Sequence, residues 1–185
     1  MGEIWAQSFF LRSYPLQSLL RIIGLGSERI QTLPPRIEAG MIVAIDPGPI
    51  ESAFVRMEGT AILECGKEPN ELILERIPGW RGWNSFLAIE MIASYGMPVG
   101  AEVFQTCVWI GRFIEKDSSA YQFVYRKDVK MHICGSVKAN DANIRQALVD
   151  RFGPKGTKKN PGHLYGLKAD MWSAFAVGLT ALEKK

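Results

Sequence analysis

Three acidic residues stand where acids are costly. Asp46 ends the apolar run MIVAID, Glu90 ends FLAIE, and Asp170 opens the apolar stretch DMWSAFAVGL. Ionising a carboxylate in apolar surroundings is unfavourable unless a partner offsets it. Each has an ordinary explanation when taken singly; Asp170 alone reads as a first-turn acid favoured by a helix dipole. Three together read as convergence, because adjacent strand ends and a packed helix can bring side chains to one point. Like charges at that point raise each other's pKa unless a cation holds them. Oxygen-only ligands favour a hard ion such as Mg²⁺ or Mn²⁺. Such an ion takes phosphate oxygens as its remaining ligands, which is the arrangement of two-metal phosphodiester hydrolysis.

The elements that must position these acids can be read from the same pattern. Ile42, Val43, Ala44 and Ile45 form a strand buried on both faces, stopped by Pro47 and Gly48. SAFVRMEG and TAILECG follow as two strands joined by a tight turn at Glu58 and Gly59, and NELILERI reads as a short helix or an extended segment. SFLAIEMIA is a fourth buried strand. Val103, Cys107, Ile110 and Ile114 share one face of an amphipathic helix. AYQFVYR and VKMHICG supply one more strand, and NDANIRQALVDRFG is a helix that begins at a capping residue and ends at Gly153. LKADMWSAFAVGLTALEK is the final helix. The expected domain, 41–185, is therefore α/β: a five-stranded mixed sheet, three antiparallel strands and then parallel ones, flanked by helices.

The first forty residues differ in character. SFFLRSYPLQSLLRIIGLG could form a short amphipathic helix and TLPPRIEAG reads as a linker, without the cleavage site of a secretory signal. This segment, 1–40, is expected to be an appended arm or an upstream extension of the reading frame.

Composition narrows the class. The chain has 185 residues, 47% hydrophobic and 22% charged, as an ordinary single globular domain would. No apolar run is long enough to span a bilayer. The net charge of +3 does not by itself argue for nucleic acid. Its distribution does: residues 127–168 hold nine Lys or Arg against three Asp. Three cysteines without a CxxC spacing fit a reducing, cytoplasmic setting, with Cys107 and Cys134 expected in the core. Only His132 and His163 could join a zinc site, so zinc is a poor candidate.

These residues carry a resemblance. From residue 41 to about 182 the sequence resembles the RuvC family of Holliday-junction resolvases, within the RNase H-like superfamily. VAIDPG is similar to the family's first strand with its first catalytic acid, and LAIEMI to its second acidic strand. The segment from YRKDVK to DRFG resembles the stretch with a VK pair, a Gly turn, a basic residue and a helix. DMWSAFAVGL resembles the closing acidic helix. The resemblance implies an RNase H-like fold and a homodimer acting on branched DNA. It implies that Asp46, Glu90 and Asp170 hold two Mg²⁺ ions, with Mn²⁺ as a substitute. Water then attacks the phosphorus in line, leaving a 5′-phosphate and a 3′-hydroxyl.

The sequence also departs from that pattern. The closing motif normally carries a second Asp three residues after the first, and here that position is Ser173. GWRGWNSF stands where a clear helix is expected before Glu90; Trp80 and Trp83 would stack on bases there or cap the core. These departures point to a divergent, phage-type member in a phage or bacterial setting. Ser173, His163 and Asp141 are candidate supporting residues, although a helix cap accounts for Asp141. Lys130, Lys138, Lys155, Lys158, Lys159 and Lys168 are candidate phosphate contacts, weighed against plain surface lysines. Two further readings stand beside the resolvase: a YqgF-like nuclease acting on RNA, and a non-catalytic junction-binding protein that lost activity at Ser173. An actin-like ATP-binding fold would need two such domains.

Overall fold

The computed structural model describes residues 40–80, 85–94, 96–117 and 120–184. The expected arm and Trp83 lie outside them, apart from Gly40. Five strands form one sheet in the order β3-β2-β1-β4-β5. They are β1 (Met41–Asp46), β2 (Glu51–Glu58), β3 (Ala61–Pro69), β4 (Phe86–Met91) and β5 (Tyr121–Tyr125). β1, β2 and β3 run antiparallel, while β1, β4 and β5 run parallel. Parallel neighbours need crossovers, and helices provide them. They are α1 (Asn70–Trp80) and α2 (Ala101–Asp117) before β5, then α3 (Arg126–Cys134), α4 (Asp141–Phe152) and α5 (Met171–Glu183) after it.

Strand parity divides the core into two layers. Ile42, Ala44, Phe86 and Ala88 face the α5 side, with Val129, Ile144 and Leu148 from α3 and α4. Val43, Ile45, Leu87 and Ile89 face the other side, with Ile73 and Ile77 of α1 and Ile110 and Phe113 of α2. Because successive strand residues alternate between faces, Asp46 and Glu90 fall in the series that points toward α5. That parity is what positions the site.

Several local readings change. VKMHICG is helical, as most of α3, rather than part of a strand. Val129, Met131 and Ile133 alternate like a strand, but Met131 is half exposed, while Val129 and Ile133, one turn apart, pack on the core. Gly135, with φ of 66°, ends this helix. NELILERI is helical throughout. On α2 the buried stripe runs through Thr106, Ile110 and Phe113, leaving Val103 and Cys107 at its margin. Cys107 and Cys134 are half-buried free thiols, not fully enclosed ones. Trp80 is a core residue, tilted against Phe54 at 4.5 Å.

α5 lies against the middle of the sheet because its inward residues are small. A Cβ on Gly178 would come within 2.5 Å of Met57 Sδ and 2.9 Å of Ala44 Cβ. Gly178→Val should therefore destabilise the fold by about 2–4 kcal/mol through overpacking. Gly111 on α2 has no atom within 4 Å of its would-be Cβ. Gly111→Ala should instead leave stability unchanged or raise it by up to about 1 kcal/mol. Urea denaturation of the two variants checks the contrast; equal losses would refute the close packing of α5.

Candidate active site

Asp46 and Glu90 meet at the ends of adjacent parallel strands. Ile45 and Ile89 are partners in the ladder, so the two acids follow one residue beyond a matched pair. Burial pushes the Asp46 carboxyl up to about 6, with the charge of Asp170 adding to the rise and Arg126 opposing it. Burial likewise pushes Glu90 up to about 7, and the neighbouring Asp46 charge adds to it, again against Arg126. The two carboxyls lie close enough to influence each other's ionisation, and the Ser173 hydroxyl favours the charged form of Asp46. Two buried acids in contact share a proton when no stronger cation is present.

The loop after Asp46 is pinned from behind. The Ser52 hydroxyl donates to Asn70 Oδ1 at 2.6 Å and accepts from Gly48 N at 3.2 Å. Asn70 Nδ2 donates to Gly48 O at 2.9 Å. A Cβ at Gly48 would meet Glu51 O at 2.4 Å, so this close turn requires glycine. Ser52 and Asn70 are buried polar residues whose hydrogen bonds serve this loop.

Asp170 stands at the N-cap position of α5 without a side-chain capping bond and faces Lys67 of β3, Nζ to Oδ2 2.8 Å; the same ammonium stands 3.7 Å from Glu51. The preceding residue, Ala169, has φ of 40°, in the left-handed region that a side chain disfavours. The backbone is thus strained at the residue that sets the direction of Asp170.

Arg126 begins α3 immediately after β5. Its Nη1 lies 3.5 Å from Glu90 Oε2 and 3.3 Å from Ser173 Oγ, and its Nη2 pairs with Asp141. Asp141 opens α4, but the cap itself is Asn140, which exchanges side-chain and backbone bonds with Asn143. Asp141 is therefore free to face Arg126. Neither Arg126 nor Lys67 stands out in the sequence, where each is one basic residue among twenty-two.

The remaining expected residues are spread along α5 and beyond it. His163 stacks on Phe152 at 4.7 Å, and its Nε2 lies 2.8 Å from Thr60 O, in the turn between β2 and β3. Thr60 is at the end of β2 opposite to Ala53, the partner of Asp46, so His163 is not at the acid cluster. A hollow of about 480 Å³ is bordered by Arg126, Asp141, Arg145, Asp170, Trp172 and Ser173. It shares Arg145 and Trp172 with a second hollow of about 350 Å³ that also reaches Lys155 and Lys168. On the other side, Asp170 borders a cleft of about 520 Å³ with Asp46, Gly48 and Lys67. Arg145 lies over the Trp172 ring, 4.9 Å from its centre. Lys155 donates to Leu167 O at 2.6 Å. Lys158, Lys159 and Lys138 are exposed, and Lys130 is half-buried on α3.

The donor set suits a hard divalent ion in kind: carboxylates and a hydroxyl, with two acids already sharing buried space. Among the described residues no three acidic, histidine or cysteine side chains are placed closely enough to enclose an ion, since Asp170 is turned to Lys67. Two of the three expected ligands are thus together, and the third stands at the rim. No helix among the described residues is long and apolar enough to cross a membrane.

A mixed five-stranded sheet in this order, flanked by helices on both faces, is an RNase H-like fold. Comparison with solved structures makes the likeness more particular: the fold is RuvC-like. A structure of RuvC from Thermus thermophilus superposes with a TM-score of 0.51 at 17% identity, covering 77% of this chain and 93% of that one. A structure of T. thermophilus RuvC in complex with Holliday junction substrate gives 0.52 at 14% identity, covering 76% and 92%. No protein-family model and no curated protein sequence matches the chain.

Proposed function

We propose that the protein is a metal-dependent, structure-selective endonuclease that cuts four-way or other branched DNA junctions. One observation carries the reading: Asp46 and Glu90 meet at adjacent strand ends, with Asp170 at the start of α5, in a RuvC-like sheet. Mg²⁺, or Mn²⁺ in its place, would be held by Asp46, Glu90 and Asp170, and would supply Lewis-acid charge to the phosphate and activate the attacking water. To hold the ion the buried pair would give up its proton and Asp170 would turn from Lys67, which would leave the Lys67 ammonium available to a phosphate oxygen. Arg145, Lys155 and Lys168 border the hollows beside the acids, where they can follow the phosphates on one side of the cut. A homodimer would present two such sites to two strands, as symmetric junction cutting requires.

The test is cleavage of labelled four-way junction, linear duplex and structured RNA, with Mg²⁺ and with EDTA. Junction cutting that needs the ion and exceeds duplex cutting at least tenfold is expected. RNA cut in preference to the junction would favour the YqgF-like reading. Binding without cutting in either Mg²⁺ or Mn²⁺ would overturn the enzyme.

A further inference from the structure

Resting on the nuclease reading, we propose that Arg126 is a catalytic residue that takes the place of a second divalent ion, so that each site works with one. The guanidinium stands among Glu90, Ser173 and Asp141, on the Ser173 flank of the acid pair. On that flank the residue three positions after Asp170 is Ser173, whose neutral hydroxyl cannot balance a cation. Arg126 reaches this hydroxyl and Glu90 through Nη1 and holds Asp141 through Nη2. The site is thus filled with positive charge that does not have to be bound from solution.

Charge counting points the same way. Asp46, Glu90, Asp170 and Asp141 bring four negative charges when ionised, and Lys67 and Arg126 return two. One divalent ion neutralises the remainder. A second would leave the cluster as positive as one free divalent ion before any phosphate arrives. A guanidinium is charged at every accessible pH and carries five N–H donors in a planar fork suited to phosphate. The contacts to Glu90, Ser173 and Asp141 leave Nε and one Nη2 hydrogen without an assigned acceptor in this group. Arg126 also borders the 480 Å³ hollow, where a phosphodiester can approach it.

In the reaction the oxygen of water bonds to phosphorus as the P–O3′ bond breaks. One water proton passes to solvent, and the departing O3′ takes a proton from solvent. Arg126 keeps all its protons throughout. It hydrogen-bonds to a non-bridging oxygen as negative charge gathers there, which costs little reorganisation because neighbouring groups already hold the guanidinium in place.

Single-turnover cleavage of a four-way junction against Mg²⁺ concentration, for wild type, Arg126→Gln and Arg126→Lys, tests this. Counting Mn²⁺ bound per chain by electron paramagnetic resonance, on protein mixed with the nicked product duplex, gives a readout separate from turnover. Wild type should show first-order dependence on Mg²⁺ and one Mn²⁺ per chain. Arg126→Gln should lose at least about 100-fold in rate with the same Mg²⁺ order and unchanged junction affinity. Arg126→Lys, which keeps the charge but not the two-nitrogen fork, should recover about tenfold of that. Two Mn²⁺ per chain with second-order dependence would overturn the proposal. So would Arg126→Gln cutting normally at lower Mg²⁺, the behaviour of a mere occupant that a second ion displaces. In both cases the nuclease itself would stand, whereas a wild type that cuts no junction would remove the reading beneath it.

Discussion

Asp46→Asn and Glu90→Gln should each reduce junction cleavage by roughly 1,000-fold or more, about 4 kcal/mol of transition-state stabilisation, while junction affinity changes little. Both replacements keep the shape of the buried side chain and remove its charge, so the ion loses a ligand but the basic surface is untouched. Asp46→Asn should also stabilise the metal-free protein above pH 7. At that pH the native pair must hold two charges in one buried space, and burial is the leading cause of the upward shift in both. A gain in stability joined to a loss of activity is the usual mark of a residue kept for chemistry. Single-turnover assays, band shifts and thermal melts on the same preparations separate the three effects. A variant that cuts within tenfold of wild type would remove that residue from the site.

The same pair predicts an unusual pH dependence. Asp46 rises from 3.8 to about 6 and Glu90 from 4.5 to about 7 on folding. Between the ordinary and the raised values the folded protein binds more protons than the unfolded chain, so stability falls as pH rises through that window. The contribution is fully present below the ordinary values and is lost above about 7. Glu64 and Glu183 are shifted downward by arginine partners, so their contribution is lost only as pH falls below the ordinary carboxylate value, outside this window. On the proposed reading a divalent ion would displace the protons, and its stabilisation should therefore grow with pH. Melting at pH 5, 6.5 and 8, in EDTA and in Mg²⁺, measures both trends. A flat profile in EDTA, or Mg²⁺ stabilisation that is the same at pH 5 and pH 8, would contradict the buried pair.

How much of this is legible in the sequence follows from what each signal depends on. β1 and β4 are readable because continuous apolar runs ending in an acid have few alternatives, and α5 because its apolar residues run longer than a strand. α3 reads wrongly as a strand because Val129, Met131 and Ile133 satisfy a strand's alternation, and only packing on α4 and α5 selects the helix. Of the site, the acids can be found since a carboxylate at a strand end is locally anomalous. Lys67 is anomalous only once register brings it beside Asp170, 103 residues away in sequence. Arg126 likewise gains its meaning only from the fold, which sets it just past the end of β5 and beside Glu90 on the neighbouring strand. His163 misleads for the converse reason: it is close in sequence to α5, but the intervening loop carries it back to the β2–β3 turn.

α5 has a consequence for biosynthesis. It buries nine residues, including Trp172 and the run from Ala174 to Ala181, against strands formed early in the chain. While a ribosome is still making this protein, β1 and β2 have emerged but the layer that covers Ile42, Ala44, Val55 and Met57 has not. Contacts of such long sequence separation form late and slowly. Asp170 and Ser173 arrive with that layer, so an unfinished chain holds two of the three acids and no complete site. On the nuclease reading, a nascent chain from which α5 has not yet emerged is therefore expected not to cut nucleic acid.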